Sequence, residues 1–248
     1  MKQKIFFLPV LCLFVFADPG KKIKIWLIGD STMAAKQTKA FPETGWGMPF
    51  TYFWDSTVVV DNRAVNGRST RTFIEEKRWE PVMKEMNEGD YVFIQFGHND
   101  EVPAKKSYVP ETEFRNYLLS YAADVRKKKA TPVLITPVAR WSFDSTGRVQ
   151  ETHAVYAQIV RDVAKETNIT LIDLDKTSQV LLQQMGRDAS VYLFNHLAPG
   201  EHPNYPEGKQ DNTHFSELGA RKMAELVLED IRKLQPSLAQ RIIRPVIK

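Results

Sequence analysis

Two parts of the sequence contain residue types that could carry out acyl transfer together. The segment Gly29-Asp30-Ser31-Thr32 contributes a serine hydroxyl, which becomes a good nucleophile once a base removes its proton. His214 could be that base. Asp211, three residues earlier, could accept from one imidazole nitrogen and leave the other facing the serine. This combination indicates chemistry through a covalent serine intermediate.

Two further segments could stabilise the negative charge that develops during such a reaction. Asn66-Gly67-Arg68-Ser69-Thr70 contains a glycine, which lets the backbone approach a ligand closely and point its N–H inward. Gly97-His98-Asn99-Asp100 contains the Asn99 amide, an uncharged donor. Taken singly, the first of these segments is better explained as an Asn-Gly turn, and the second is explained equally well as a polar turn. Their joint occurrence favours a catalytic site.

The elements that must position these segments alternate between short apolar runs and amphipathic stretches. The runs are rich in β-branched and aromatic residues, which is typical of strands buried on both faces of a parallel sheet. The predicted strands are Ile23 to Ile28, Val58 to Val60, Tyr91 to Gln95, Val133 to Thr136 and Thr170 to Ile172. The predicted helices are Trp79 to Asn87, Thr112 to Lys129, His153 to Thr167, Thr177 to Met185 and Ser216 to Leu234.

This alternation predicts an α/β fold with helices on both faces of the sheet. Active sites in such folds collect at the carboxyl ends of the strands. The stretch from Arg187 to Gln210 lacks clear periodicity and is rich in Gly, Pro, Asn and His, so it is predicted to be a long loop. That loop would place Asp211 and His214 at the start of the last helix.

Length and composition fit one soluble domain. The chain has 248 residues, of which 43% are hydrophobic and 26% charged, so its core needs no disulfide or metal. The net charge of +4 comes from scattered Lys and Arg without interleaved aromatics, which does not favour nucleic-acid binding. We expect no cofactor and no bound metal.

The first residues predict an export signal. Lys2 and Lys4 precede the apolar run Ile5 to Phe16, and Val15-Phe16-Ala17 resembles a small-residue cleavage site. Residues 1–17 are therefore predicted to be a signal peptide and 18–248 a single secreted or periplasmic domain. The run is too short to span a bilayer as a helix. The sole cysteine, Cys12, lies within it, and a lipid anchor or a buried first element are the alternatives.

Taken together, the segments resemble the conserved blocks of SGNH (GDSL-like) hydrolases. More narrowly, they resemble rhamnogalacturonan acetylesterases and related pectin-directed enzymes of carbohydrate esterase family 12. The residues that carry the resemblance are Gly29 to Met33, Asn66 to Arg71, Phe96 to Asp100, Thr136 to Arg140 and Asp211 to Phe215. The matches extend from near residue 23 to about residue 234.

The resemblance implies a flavodoxin-like, three-layer α/β/α sandwich with a five-stranded parallel sheet. It also implies that Ser31 is the nucleophile, His214 the general acid and base, and Asp211 its orienting partner. The backbone N–H groups of Ser31 and Gly67 and the side-chain amide of Asn99 would form the oxyanion hole. The implied activity is removal of O-acetyl groups from a plant cell-wall polysaccharide, rhamnogalacturonan or another pectin.

Substrate contacts are predicted from residue type. Aromatic and imidazole rings in loop-like segments could stack on sugars: Trp46, Trp141, His202 and Tyr205. Arg68, Arg71 and Arg140 could pair with galacturonate carboxylates.

Three other functions remain open at this point. Acetylated xylan or another glycan would use the same catalytic residues. A metallophosphoesterase also uses Gly-Asp and Asn-His-Asp-type turns, but the order Gly97-His98-Asn99-Asp100 differs and too few ligands are present for two metals. A non-catalytic glycan-binding protein could retain the fold.

Overall fold

A five-stranded parallel sheet lies at the centre of the computed structural model, which describes residues 22–243. The strand order is β2-β1-β3-β4-β5. The strands are β1 (Ile23–Gly29), β2 (Val58–Asn62), β3 (Tyr91–Gln95), β4 (Thr131–Ile135) and β5 (Thr170–Ile172). All five coincide with the predicted runs to within a few residues, so the predicted fold class is confirmed.

Eight helices in the described residues flank this sheet. They are α1 (Gly47–Phe50), α2 (Thr70–Glu75), α3 (Trp79–Glu85), α4 (Glu111–Lys127), α5 (Ala154–Thr167), α6 (Leu174–Ser190), α7 (Glu217–Leu234) and α8 (Pro236–Ala239). Three of them begin at side-chain caps: Ser69, Asp173 and Ser216 accept from backbone N–H groups of the first helical turn.

Two apolar layers pack on opposite faces of the sheet, because successive side chains of a strand point to opposite sides. Along β1, Ile25 and Leu27 belong to a core shared with α1, α6, α7 and α8. Trp26 and Ile28 belong to a second core shared with α2, α3, α4 and α5. The molecule is therefore the predicted three-layer α/β/α sandwich.

The prediction of a loop from Arg187 to Gln210 is wrong for part of this stretch. Helix α6 runs on to Ser190, and a strand β6 (Phe194–Leu197) pairs antiparallel with β7 (Lys209–Phe215). Asp211 and His214 thus lie on a strand instead of at a helix start. Gly186, with φ 74°, interrupts α6 and hides its periodicity. The pairing of the four-residue strand β6 with the mostly polar β7 is a tertiary contact without a local signature.

Among the helices in residues 22–243, none has both the length and the apolar content needed to cross a membrane. The predicted signal peptide and Cys12 lie outside the described residues.

Candidate active site

Three neighbouring strands of the sheet end at the same edge and place three of the predicted residues together. Ser31 comes two residues after β1, Gly67 follows β2, and Asn99 follows β3. Since β1 lies between β2 and β3 in the parallel sheet, their carboxyl ends converge. The predicted segments therefore meet at the edge where ligands bind in this architecture.

The β6–β7 hairpin brings the remaining two residues to this edge. Two backbone hydrogen bonds tie β7 to the loops of the sheet: Thr44 N donates to Phe215 O at 2.9 Å, and Trp141 N donates to Asn212 O at 2.8 Å. These contacts, one at Asn212 and one at Phe215, hold the stretch that contains Asp211 and His214 beside the end of β1. Residues 180 positions apart in the chain are held in one site as a result.

Ser31, His214 and Asp211 form one hydrogen-bonded series. His214 Nε2 lies 2.8 Å from Ser31 Oγ, and His214 Nδ1 lies 2.8 Å from Asp211 Oδ2. Ser31 is buried, while His214 and Asp211 are half-buried. Both imidazole nitrogens are engaged, so the ring is oriented for proton transfer from the serine to the nitrogen nearest it.

Asp211 is held as a carboxylate by several donors. Its Oδ1 accepts from the backbone N–H groups of Thr213 and His214, each at 2.9 Å. Lys209 Nζ lies 3.8 Å from Oδ2. Burial alone would raise the pKa of Asp211, but its hydrogen bonds and the charge of His214 outweigh burial and hold the pKa well below its ordinary value. The carboxylate is thus available to stabilise an imidazolium.

Two backbone N–H groups beside the serine are free to serve as oxyanion donors. Ser31 lies in a tight turn in which the N–H groups of Met33 and Ala34 donate to Asp30 O. Gly67 has φ 77°, a conformation that L side chains rarely adopt, and the space beside its Cα is open. Within residues 22–243, neither Ser31 N nor Gly67 N donates a hydrogen bond to another group of the chain.

The Asn99 side chain has a fixed orientation. Its Nδ2 donates to Arg68 O at 3.1 Å, and its Oδ1 accepts from Lys105 Nζ at 3.2 Å. These two contacts distinguish the amide nitrogen from the amide oxygen. The second N–H of Nδ2 remains for a ligand in a pocket of about 360 Å³, which Ser31 and His214 also line.

A buried ion pair supports the serine turn, and the sequence analysis missed it. Lys36 Nζ lies 2.7 Å from Glu43 Oε1 and donates to Ser31 O at 2.6 Å and to Asn66 Oδ1 at 2.8 Å. The Lys36 side chain is completely inaccessible. One ammonium thus links the turn that contains Ser31 to the turn that contains Asn66 and Gly67. Neither Lys36 nor Glu43 follows a strand directly, so no sequence signal pointed to them.

Buried ionisable groups lie next to Ser31, and one of them, His98, also lines the pocket. The Asp30 carboxylate accepts from Thr32 N and Thr32 Oγ1 at 2.9 and 2.8 Å, and its second oxygen lies 3.3 Å from His98 Nδ1 without the alignment of a hydrogen bond. The His98 ring packs against the His153 ring, with 4.3 Å between centroids. Burial, together with the charge of His153, lowers the pKa of His98 to about 4, so it is neutral at neutral pH.

The three arginines predicted to bind substrate are all engaged within the protein. Arg68 pairs with Glu76 at 2.9 Å and donates to Asn66 O. Arg71 donates to two backbone carbonyls in the loop before α4. Arg140 pairs with Glu101 at 3.1 Å and donates to Thr213 Oγ1. Of the three, only Arg140 lines the pocket that contains Ser31.

None of the four rings predicted to stack on sugars lines that pocket. Trp46 is fully buried, and its Nε1 donates to Gln95 Oε1 at 2.7 Å in the core. Trp141 packs against Phe143 and donates to Ser190 Oγ. His202 and Tyr205 lie in the β6–β7 connection, where the Tyr205 hydroxyl donates to Ala40 O.

One group in the described residues has the side chains of a metal site. Glu43, Asp211 and His214 each place a potential ligand atom within 4.8 Å of the others. All three side chains already have partners, however: Glu43 holds Lys36, and Asp211 holds His214. Their contacts are those of an acid–base cluster.

Comparison with known proteins agrees with this geometry. A sequence profile described as the GDSL-like lipase/acylhydrolase family matches residues 27–222. The chain is 40% identical to rhamnogalacturonan acetylesterase RhgT of Bacillus subtilis over 223 residues, which are 90% of this chain and 95% of that relative. It is 26% identical to rhamnogalacturonan acetylesterase of Emericella nidulans, covering 84% of each chain.

Solved structures show the same fold. The crystal structure of protein YxiM from Bacillus subtilis superimposes with a TM-score of 0.74 at 26% identity, covering 86% of this chain and 57% of that one. This chain therefore spans little more than half of YxiM. The acetylxylan esterase Axe2 from Geobacillus stearothermophilus superimposes with a TM-score of 0.58 at 20% identity, covering 86% of this chain and 95% of that one.

Proposed function

Because this chain belongs to the GDSL-like lipase/acylhydrolase family, we propose that it removes O-acetyl groups from rhamnogalacturonan through a Ser-His-Asp acyl-enzyme mechanism. Membership of this family and similarity to acetylesterases indicate a carboxylic ester hydrolase. They therefore argue against the metallophosphoesterase and the non-catalytic glycan-binding protein considered above. The particular polysaccharide and the catalytic roles of the residues are the proposal.

One observation carries the mechanism: the His214 ring lies between Ser31 Oγ and Asp211 Oδ2, 2.8 Å from each. His214 Nε2 takes the proton of the Ser31 hydroxyl as the oxygen attacks the acetyl carbonyl. Asp211 stabilises the imidazolium through Nδ1. His214 then returns the proton to the departing sugar oxygen, which leaves an acetyl-serine.

Hydrolysis of that intermediate repeats the same steps with water as the nucleophile. His214 removes a proton from water, the resulting oxygen attacks the acetyl-serine, and acetate leaves as Ser31 regains its proton. In both halves the carbonyl oxygen becomes an oxyanion. The N–H groups of Ser31 and Gly67 and the Asn99 Nδ2 are the three donors that would stabilise it.

The test is a measurement of acetate released from acetylated rhamnogalacturonan and, in parallel, from acetylated xylan. We expect wild-type protein to release acetate from the first faster than from the second, and Ser31→Ala to release none above background. Acetate release by Ser31→Ala at the wild-type rate would refute the mechanism. A preference for xylan would refute the proposed substrate and leave the mechanism standing.

Export belongs to the same proposal, since a polymer of the plant cell wall does not enter a cell intact. Residues 1–17 would direct the chain out of the cytoplasm and 18–248 would be the mature domain. N-terminal sequencing of protein recovered from the culture medium or periplasm would check the cleavage site.

A further inference from the structure

A second pocket, of about 380 Å³, adjoins the one that contains Ser31. The two share a wall formed by Gly67, Asn99 and Lys105. The far side of the second pocket is formed by Arg68, Lys106 and Ser107, among others. A polymer whose acetyl group reaches Ser31 can continue over the shared wall. On that path, a neighbouring unit of the same substrate would lie in the second pocket.

The second pocket has an excess of positive charge. Its carboxylate, Glu76, already pairs with two cations, Arg68 at 2.9 Å and Arg78 at 2.6 Å. Within residues 22–243, no carboxylate lies within 4.0 Å of the ammonium group of Lys105 or Lys106. The charge of the arginine is thus compensated inside the protein, whereas that of the two lysines is not.

The loop that carries these lysines is held by internal hydrogen bonds. Arg71 donates to Lys106 O at 2.7 Å and to Tyr108 O at 3.1 Å. Ser107 Oγ donates to Asn99 O at 3.2 Å. The two bonds from Arg71 tie the backbone on both sides of Lys106 to α2, and the bond from Ser107 ties it to the turn that contains Asn99. The ammonium groups are therefore presented from a fixed backbone beside the catalytic pocket.

We propose that this second pocket, lined by Lys105 and Lys106, binds the carboxylate of a uronate unit in the polysaccharide whose acetyl group is attacked by Ser31. The inference rests on the proposed function, because the polymer named there contains uronate units. An ammonium group is a suitable partner for a carboxylate, and a pocket beside the oxyanion donors couples recognition of that charge to placement of the ester. Of the arginines predicted from the sequence, Arg68 lines this pocket while paired with Glu76, and Arg71 holds the loop that carries the lysines.

The test compares two forms of one acetylated oligosaccharide, with its uronate carboxyl groups free or methyl-esterified. Wild-type protein should have a KM about threefold to tenfold lower for the free-acid form, since only that form bears the charge. In Lys106→Gln the KM ratio, esterified form over free-acid form, should fall towards one. Lys105→Gln should also lose the ratio and, because Lys105 holds the Asn99 amide, should lower kcat with both forms.

The matched control is Lys165→Gln, which removes an exposed lysine from the last turn of α5 and should keep the wild-type ratio. Added salt should raise KM for the free-acid form alone. Equal KM values for the two forms with wild-type protein, or an unchanged ratio in both pocket variants, would overturn the inference while acetate release upheld the proposed function. Failure of wild-type protein to release acetate from either form, with activity on acetylated xylan, would overturn both.

Discussion

The buried ion pair between Lys36 and Glu43, next to Ser31, gives a quantitative prediction for Lys36→Met. Methionine retains the apolar stem but removes the ammonium group, which has three acceptors at 2.6 to 2.8 Å. The Glu43 side chain is only 11% exposed, so its carboxylate would remain buried without a partner. Breaking a buried pair from one side costs about 3–5 kcal/mol of unfolding free energy.

For a domain of this size each kcal/mol shifts the melting temperature by about 2–4 °C, so we expect a decrease of roughly 6–20 °C. Urea denaturation should give the same loss in unfolding free energy. The turnover number should also fall by about tenfold or more, because Ser31 O and Asn66 lose their common donor and the oxyanion donors beside them shift. Lys39→Met, at a nearby exposed lysine, is the control and should stay within about 0.5 kcal/mol of wild type.

A double-mutant cycle separates the ion pair from general disruption. Glu43→Gln breaks the same pair from the other side, and the double variant should be more stable than the sum of the two single losses predicts, by more than about 1 kcal/mol. The reasoning would be refuted if Lys36→Met lost less than about 1 kcal/mol. It would also be refuted if the two losses simply added within about 0.5 kcal/mol, the scatter expected of independent sites.

Two further predictions concern the oxyanion donors and the buried histidine. Asn99→Ala should lower kcat by about a hundredfold or more while the fold is retained, which steady-state acetate release and circular dichroism would check; a loss below about threefold would exclude Asn99 as an oxyanion donor. His98 has a lower pKa in the folded protein, about 4, than its ordinary value of 6.5, so the unfolded chain binds a proton that the folded chain does not. The contribution of neutral His98 to the free energy of unfolding is therefore complete above about pH 6.5, and about 3 kcal/mol of it is lost as the pH falls towards 4. Urea denaturation across that pH range should show a shallower decline in the free energy of unfolding for His98→Gln than for wild type.

The parts of the site that the sequence predicted are those tied to a local pattern. Ser31 and Asn99 each follow an apolar run buried on both faces of the sheet, and such runs are recognisable because the whole segment is apolar. Gly67 follows β2, an edge strand that is only partly buried but begins with the apolar run Val58 to Val60. Once the strands are assigned, parallel topology alone brings their carboxyl ends together. The position of these three residues therefore follows from hydrophobic pattern and chain geometry.

The remaining parts depend on contacts between distant segments. Strand β7 is polar over most of its length and pairs with β6 across an eleven-residue connection, so neither strand has a strong local signal. Lys36 and Glu43 acquire their role only when folding buries them together. Likewise, residue type alone makes Arg68 and Arg140 candidates for binding substrate. Only the structure shows that they form ion pairs with Glu76 and Glu101.

The residues of the proposed machinery come from two sheets, the five-stranded parallel sheet and the β6–β7 hairpin. Ser31, Gly67 and Asn99 follow strands of the parallel sheet, whereas Asp211 and His214 belong to a ribbon joined to it near the site by the backbone contacts at Thr44 and Trp141. Local opening of a ribbon can cost less free energy than global unfolding. Opening of this ribbon would separate base from nucleophile while leaving the oxyanion hole assembled, so reversible loss of activity on warming can precede melting of the sheet. The connection between β6 and β7 contains none of the proposed reacting groups. Substitutions there would therefore change the temperature range of activity without changing the chemistry.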